Sequence, residues 1–150
     1  MERVRRTAEQ RRRDIQANAA CLGIDDAYVS LLVDTFYARV RSHDVLGPLF
    51  NDVIGDEWGS HLSKMKDFWA SVAFNAGRYS GTPVPKHQAL TNVREEDFDI
   101  WLRLFRETLE DTAPTPEVVP YFMKRAERIA TSLKYAMFGL KDLLRHKRAG

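Results

Sequence analysis

Cysteine is almost absent from this chain, Cys21 being the only one in 150 residues. A single thiol excludes an internal disulfide and any thiolate cluster supplied by this chain alone, so Cys21 reads as an ordinary thiol. Long apolar runs are missing too. None approaches the roughly 18 residues of a membrane span, and the opening MERVRRTAEQRRRD lacks the apolar core of a secretory signal. The expectation is a cytoplasmic protein with no membrane partner. No stretch alternates convincingly with period two, no two glycines are adjacent, and no repeat, low-complexity tract or linker interrupts the chain. No dinucleotide or flavin fingerprint occurs either, so any electron supply must come from a separate protein. What remains is 44% hydrophobic and 11% aromatic, enough to bury one core in one domain spanning residues 1–150.

The net charge of +2 conceals an asymmetry. Residues 1–13 carry +4 and residues 141–150 carry +3, which leaves −5 for residues 14–140. Short basic runs at termini are more often solvated than bound, so a nucleic-acid partner is not expected.

Helical periodicity fills the middle. Asp25 or Asp26 caps a helix running to about Arg41, with Val29, Leu32, Val33, Phe36, Tyr37 and Val40 on one stripe. Gly47-Pro48 predicts a turn before Phe50. The next helix starts near Asp56, buries Trp58, His61, Leu62, Met65, Phe68, Trp69 and Val72 at three- and four-residue steps, and ends near Gly77. Glu95 and Glu96 suit the positive end of a third helix carrying Phe98, Trp101, Leu102, Phe105 and Leu109. Thr115-Pro116 predicts the cap and first turn of the last helix, apolar through Met137 and ending at Gly139. The fold class is all-α: four principal helices in two antiparallel pairs, with one long loop between the second and third.

Four histidines punctuate this pattern. His61 begins an aromatic helix, HLSKMKDFW, whereas His87 follows GRYSGTPVPK, a segment too rich in Gly and Pro for ordinary helix. One imidazole on an apolar wall and another on an irregular element suit a flat cofactor held between them, a haem iron needing one committed ligand and one lined pocket. Taken alone, His87 reads as a solvated loop histidine and His61 as a satisfied interface histidine. His43, at the end of a charged helix, and His146, in the basic tail, keep the solvated reading.

Phe36-Tyr37, LGPLF at 46–50, the EW, His and FW positions from Glu57 to Trp69, Lys86-His87 and IWLRLF at 100–105 occur in one order. Together they resemble the truncated haemoglobins, and specifically their third, or P, group; the resemblance spans roughly residues 28–138. It implies a shortened globin fold, a two-over-two helical sandwich whose long loop carries the proximal histidine. The first two groups of that family shape this loop with paired glycines, which the third group and this chain lack. The implied core runs from about residue 25 to 139; residues 1–24 form a basic extension and 140–150 a basic tail whose roles the family pattern does not supply.

The same resemblance implies one haem b whose iron is ligated by His87, held without covalent attachment because no C-x-x-C-H motif is present. Tyr37, His61 and Trp101 match the family's distal polar residues, with Phe50, Met65 and Phe68 as apolar lining. Dioxygen in such a pocket carries partial negative charge, so a phenol or indole donor favours it over carbon monoxide. Taken alone, Tyr37 and Trp101 read as core aromatics whose polar tips find backbone carbonyls. His61 has three implied roles: a gate, a donor, or a second iron ligand. Lys64, Lys86 and Tyr79 are candidates to meet the two propionates.

Three functions follow from different classes. The first is a globin binding dioxygen, nitric oxide, carbon monoxide or another diatomic ligand reversibly at five-coordinate iron, with oxygen transport as its family role. The second is a haem enzyme, a nitric oxide dioxygenase or peroxidase, served by a separate reductase. The third is a helical interaction or nucleic-acid-binding module using the basic ends, which leaves the internal pattern unexplained.

Overall fold

A computed structural model describes residues 7–75, 77 and 93–149, and every regular element among them is helical. The first helix, α1 (Ala8–Leu22), lies where the sequence suggested only a charged extension. Its local signals are reciprocal. The Thr7 hydroxyl accepts from Gln10 N at 3.1 Å while Thr7 N donates to Gln10 Oε1 at 2.8 Å, a capping box that satisfies two end groups. Gly23 closes the helix at φ 86°, and Ile24 N–H returns to Ala19 O at 2.9 Å. Only Ala19 of α1 is buried, so the helix lies on the surface, against α4.

α2 (Asp26–Ser42) is capped by Asp25, whose Oδ1 accepts from Tyr28 N at 2.8 Å. Its buried stripe is the expected one with Tyr28 added. Gly47-Pro48 makes no turn. Both residues stand in the first turn of α3 (Leu46–Ile54), where a proline needs no donor. His43 supplies the missing cap, its Nδ1 accepting from Val45 N at 3.0 Å and Leu46 N at 3.2 Å. Glycine is required at 47 because a Cβ there would lie 2.7 Å from Arg41 O, where α3 folds back onto α2.

α4 (Trp58–Phe74) starts two residues later than expected and stops at Asn75, which adopts φ 54°. α5 (Glu95–Thr112) opens with Glu95, Glu96 and Asp97, and Asp97 Oδ2 accepts from Arg94 N at 2.8 Å. α6 (Val118–Ala149) continues past Gly139, with a break there at φ 77°, ψ 167°. Thr115 does not cap it. Its hydroxyl donates instead to Leu22 O at 2.9 Å, tying the start of α6 to the end of α1.

α2 packs on α4, α5 packs on α6, and α2 crosses α5, which gives the two-over-two sandwich. The pairs are joined by an aromatic seam. Phe105 of α5 stacks on Trp101 (5.4 Å, 5°) and on Trp69 of α4 (4.9 Å, 23°), and meets Phe36 of α2 edge-on (5.0 Å, 82°). Phe36, Trp69, Phe105 and Phe122 are almost wholly buried, and each such side chain contributes about 1.5–3 kcal/mol through lost apolar exposure. The α2–α5 contact is also pinned by polar groups. Arg39 donates to Asp111 Oδ2 (2.8 Å), and Tyr28 Oη is hydrogen-bonded to Thr112 Oγ1 (3.1 Å). The half-exposed ion pair adds at most about 1 kcal/mol, so the seam is held mainly by its rings.

Candidate functional site

A cavity of about 490 Å³ opens between α3, α4, α5 and α6, within the usual size range of small-molecule sites. α2 and α4 give it Tyr37, His61, Lys64, Met65, Phe68 and Trp69. α3 closes one side with Leu49, Phe50 and Ile54, and α5 and α6 supply Phe98, Trp101, Leu133 and Met137. The walls are thus largely apolar, with Glu57, Ser60 and Lys64 exposed at one edge and Asp97 buried at another.

Seven residues expected from sequence meet around this one space: Tyr37, Phe50, His61, Lys64, Met65, Phe68 and Trp101. Tyr79, Lys86 and His87 lie outside the described residues, as does most of the loop expected to carry them. Lys64 is exposed and stands at the cavity edge. The wall formed by α6, together with Val53, Val93, Asp97 and Trp69, was not singled out in the sequence as lining, because periodicity marks a buried face without saying which part of it borders a void.

The polar tips of the aromatic residues separate into two sets. Trp58 Nε1 donates to Asn51 Oδ1 (3.1 Å), Tyr121 Oη donates to Ala73 O, and Tyr28 Oη is bonded to Thr112 Oγ1. Each is an amphipathic core ring with its tip satisfied. Tyr37 and Trp101 do not behave so. Tyr37 is only 5% exposed, yet its hydroxyl has no hydrogen-bond partner among the described residues, and neither has the Trp101 indole N–H. Trp69, expected as plain core, lines the cavity in the same condition. Donors that border a cavity without a protein acceptor are free to bond a ligand that enters it. Burial also drives the Tyr37 phenol well above the ordinary tyrosine range, so it remains a proton donor throughout the neutral range.

His61 packs against two rings that also touch each other, the Tyr37 and Trp58 centroids lying 6.0 Å apart. It meets Tyr37 edge-on at 5.3 Å and Trp58 edge-on at 5.6 Å, both at 90°, and its Nε2 is shut off from solvent. Among the described residues no group of three or more His, Cys, Asp or Glu side chains is placed to hold a metal ion. The mostly apolar lining suits a largely apolar ligand that brings an acceptor to Tyr37 and Trp101.

No family model matches the chain. A curated relative, a group 3 truncated haemoglobin of Campylobacter jejuni, is 35% identical over 118 residues, covering 77% of this chain and 92% of the relative. The crystal structure of a group III truncated haemoglobin from Campylobacter jejuni superposes with a TM-score of 0.72 at 35% identity, covering 76% of this chain and 91% of that one.

Proposed function

Because the chain belongs to the group 3 truncated haemoglobins, we propose that it holds one noncovalent haem b in the cavity and binds dioxygen or another diatomic ligand there reversibly. The observation that carries this reading is the pair of donors, Tyr37 and Trp101, lining an apolar cavity with no acceptor among the described residues. When bound, haem supplies an iron able to take a small neutral ligand on one open face.

The remaining roles belong to the chain. His87 would hold the iron through one ring nitrogen, and a carbonyl or carboxylate partner on the other would set the tautomer. Phe50, Met65 and Phe68 pack on the macrocycle and keep water out. Tyr37 and Trp101 donate hydrogen bonds to a ligand that has gained negative charge, a charge-assisted bond of about 1.5–3 kcal/mol each. The phenol loses no proton in doing so, since burial opposes the phenolate. Lys64, which lines the cavity and is exposed, would meet a propionate, with Lys86 and Tyr79 as further candidates. His61 governs passage into the space that Tyr37 and Trp101 face.

The test is an absorption spectrum. Purified protein given haem should take up one equivalent per chain and, once reduced, shift its main band on adding carbon monoxide. A protein that retains no haem on gel filtration contradicts the reading. Turnover of nitric oxide or peroxide with an added electron donor separates an enzyme from a reversible carrier.

A further inference from the structure

Trp58 does not line the cavity, but unlike the lining Tyr37, Trp69 and Trp101 its polar tip has a protein partner among the described residues. It sits on α4 one turn before His61, on the same helical face. Three elements converge on its indole. α4 carries it, Asn51 of α3 accepts its N–H at 3.1 Å, and the Arg41 guanidinium at the end of α2 lies 4.6 Å above its ring. The indole is 7% exposed, whereas Asn51 and Arg41 are both exposed. Its ring packs at 90° on His61 and at 58° on the cavity-lining Tyr37, and these two also meet each other at 90°.

We propose that Trp58 is a positioning residue for ligand admission: clamped by Asn51 and Arg41, it is the wall that holds the His61 imidazole in a three-ring cluster with Tyr37, whose ring centroid lies 6.0 Å from that of Trp58. The inference rests on the haem-ligand reading of this cavity. A hydrogen bond fixes the plane of the indole about its long axis, and a cation above one face opposes tilting away from it. With that wall rigid, the imidazole has one well-packed place, perpendicular to both the Tyr37 and the Trp58 ring, which also touch each other. With the wall loosened, a second place opens behind it and the cavity mouth widens. Tyr37 cannot act as this wall, because it borders the cavity itself and bears the donor that the ligand uses.

The clamp can be cut from outside the core. Asn51→Leu removes the acceptor at similar volume, and Arg41→Met keeps the stem but removes the cation; neither side chain lines the cavity. In haem-reconstituted protein, carbon monoxide rebinding after flash photolysis should speed up about fivefold in Asn51→Leu, the weight of one neutral hydrogen bond, while carbon monoxide dissociation stays unchanged. Arg41→Met should change in the same direction. Placed in a His61→Leu background, the same substitutions should have no effect on rebinding, which a general loss of stability would not produce. NMR of the reduced carbonyl protein adds a second readout: in Asn51→Leu the His61 ring protons should lose part of the ring-current shift from Trp58. Wild-type rebinding in both variants, or equal acceleration with and without His61, overturns this inference alone. Failure of wild-type protein to form any carbon monoxide adduct overturns the haem reading, and this inference with it.

Discussion

The imidazole of His61 and the phenol of Tyr37 meet edge to face, 5.3 Å apart and at 90°. One of the pair is buried and its hydroxyl has no partner among the described residues; the other lines the same space with its Nε2 shut off from solvent. The roles proposed for them, donor for Tyr37 and gate for His61, are open to separate tests.

Tyr37→Phe should speed dioxygen dissociation by at least tenfold, since removing one charge-assisted hydrogen bond costs about 1.5–3 kcal/mol and 1.4 kcal/mol is a factor of ten. Trp101→Phe should act in the same direction, and the double variant more strongly than either. Stopped-flow displacement of dioxygen measures this. Unchanged rates in folded, haem-loaded variants would remove both residues from the donor role.

His61→Leu should alter carbon monoxide association more than dioxygen dissociation. Carbon monoxide gains little from a hydrogen bond, so its rebinding reports passage. A large change in dioxygen release with unchanged carbon monoxide rebinding would make His61 a donor instead.

Alkaline stability carries the signature of the buried phenol. Burial raises Tyr37 above the ordinary value of 10.0 in the folded chain, so on unfolding it releases its proton more readily. Stability is fully present below that value and falls as pH rises through the window between it and the raised folded one. Tyr28 works in the same sense, burial outweighing the opposing hydrogen bond from Thr112. Tyr37→Phe should therefore lose less stability than wild type between about pH 9 and about pH 11, read as the shift in urea midpoint. An equal loss in both would show that the phenol is not protected by burial.

Phe105 joins Trp101, Trp69 and Phe36. Phe105→Ala should cost about 3–5 kcal/mol in urea unfolding and weaken haem retention, because two of its neighbours line the cavity. A cost near zero would mean that the ring seam is not the core.

The sequence made local features legible. The Asp25 cap, the α2 stripe and the acidic opening of α5 depend on residues within a turn or two, and they lie where periodicity placed them. Features set by distant partners were hidden. Thr115 has the chemistry of a cap, yet its hydroxyl bonds to Leu22, 93 positions away. Gly47-Pro48 resembles a turn until His43, read as a solvated histidine, caps the helix they begin. α1 has little apolar periodicity to reveal it, only a capping box and a closing glycine. For the site, ordered motifs brought seven lining residues together, but motifs do not report which donor lacks an acceptor. Trp58 and Trp101 look alike in the sequence. One bonds to Asn51, and the other finds no acceptor among the described residues.

The central claim is a haem held by His87. Its most direct measurement is the haem content and iron-ligand spectrum of His87→Ala with and without added imidazole. The account predicts loss of tight haem retention, or a changed iron-ligand signature that exogenous imidazole restores. Wild-type haem content with an unchanged iron-ligand spectrum, indifferent to imidazole, would contradict it.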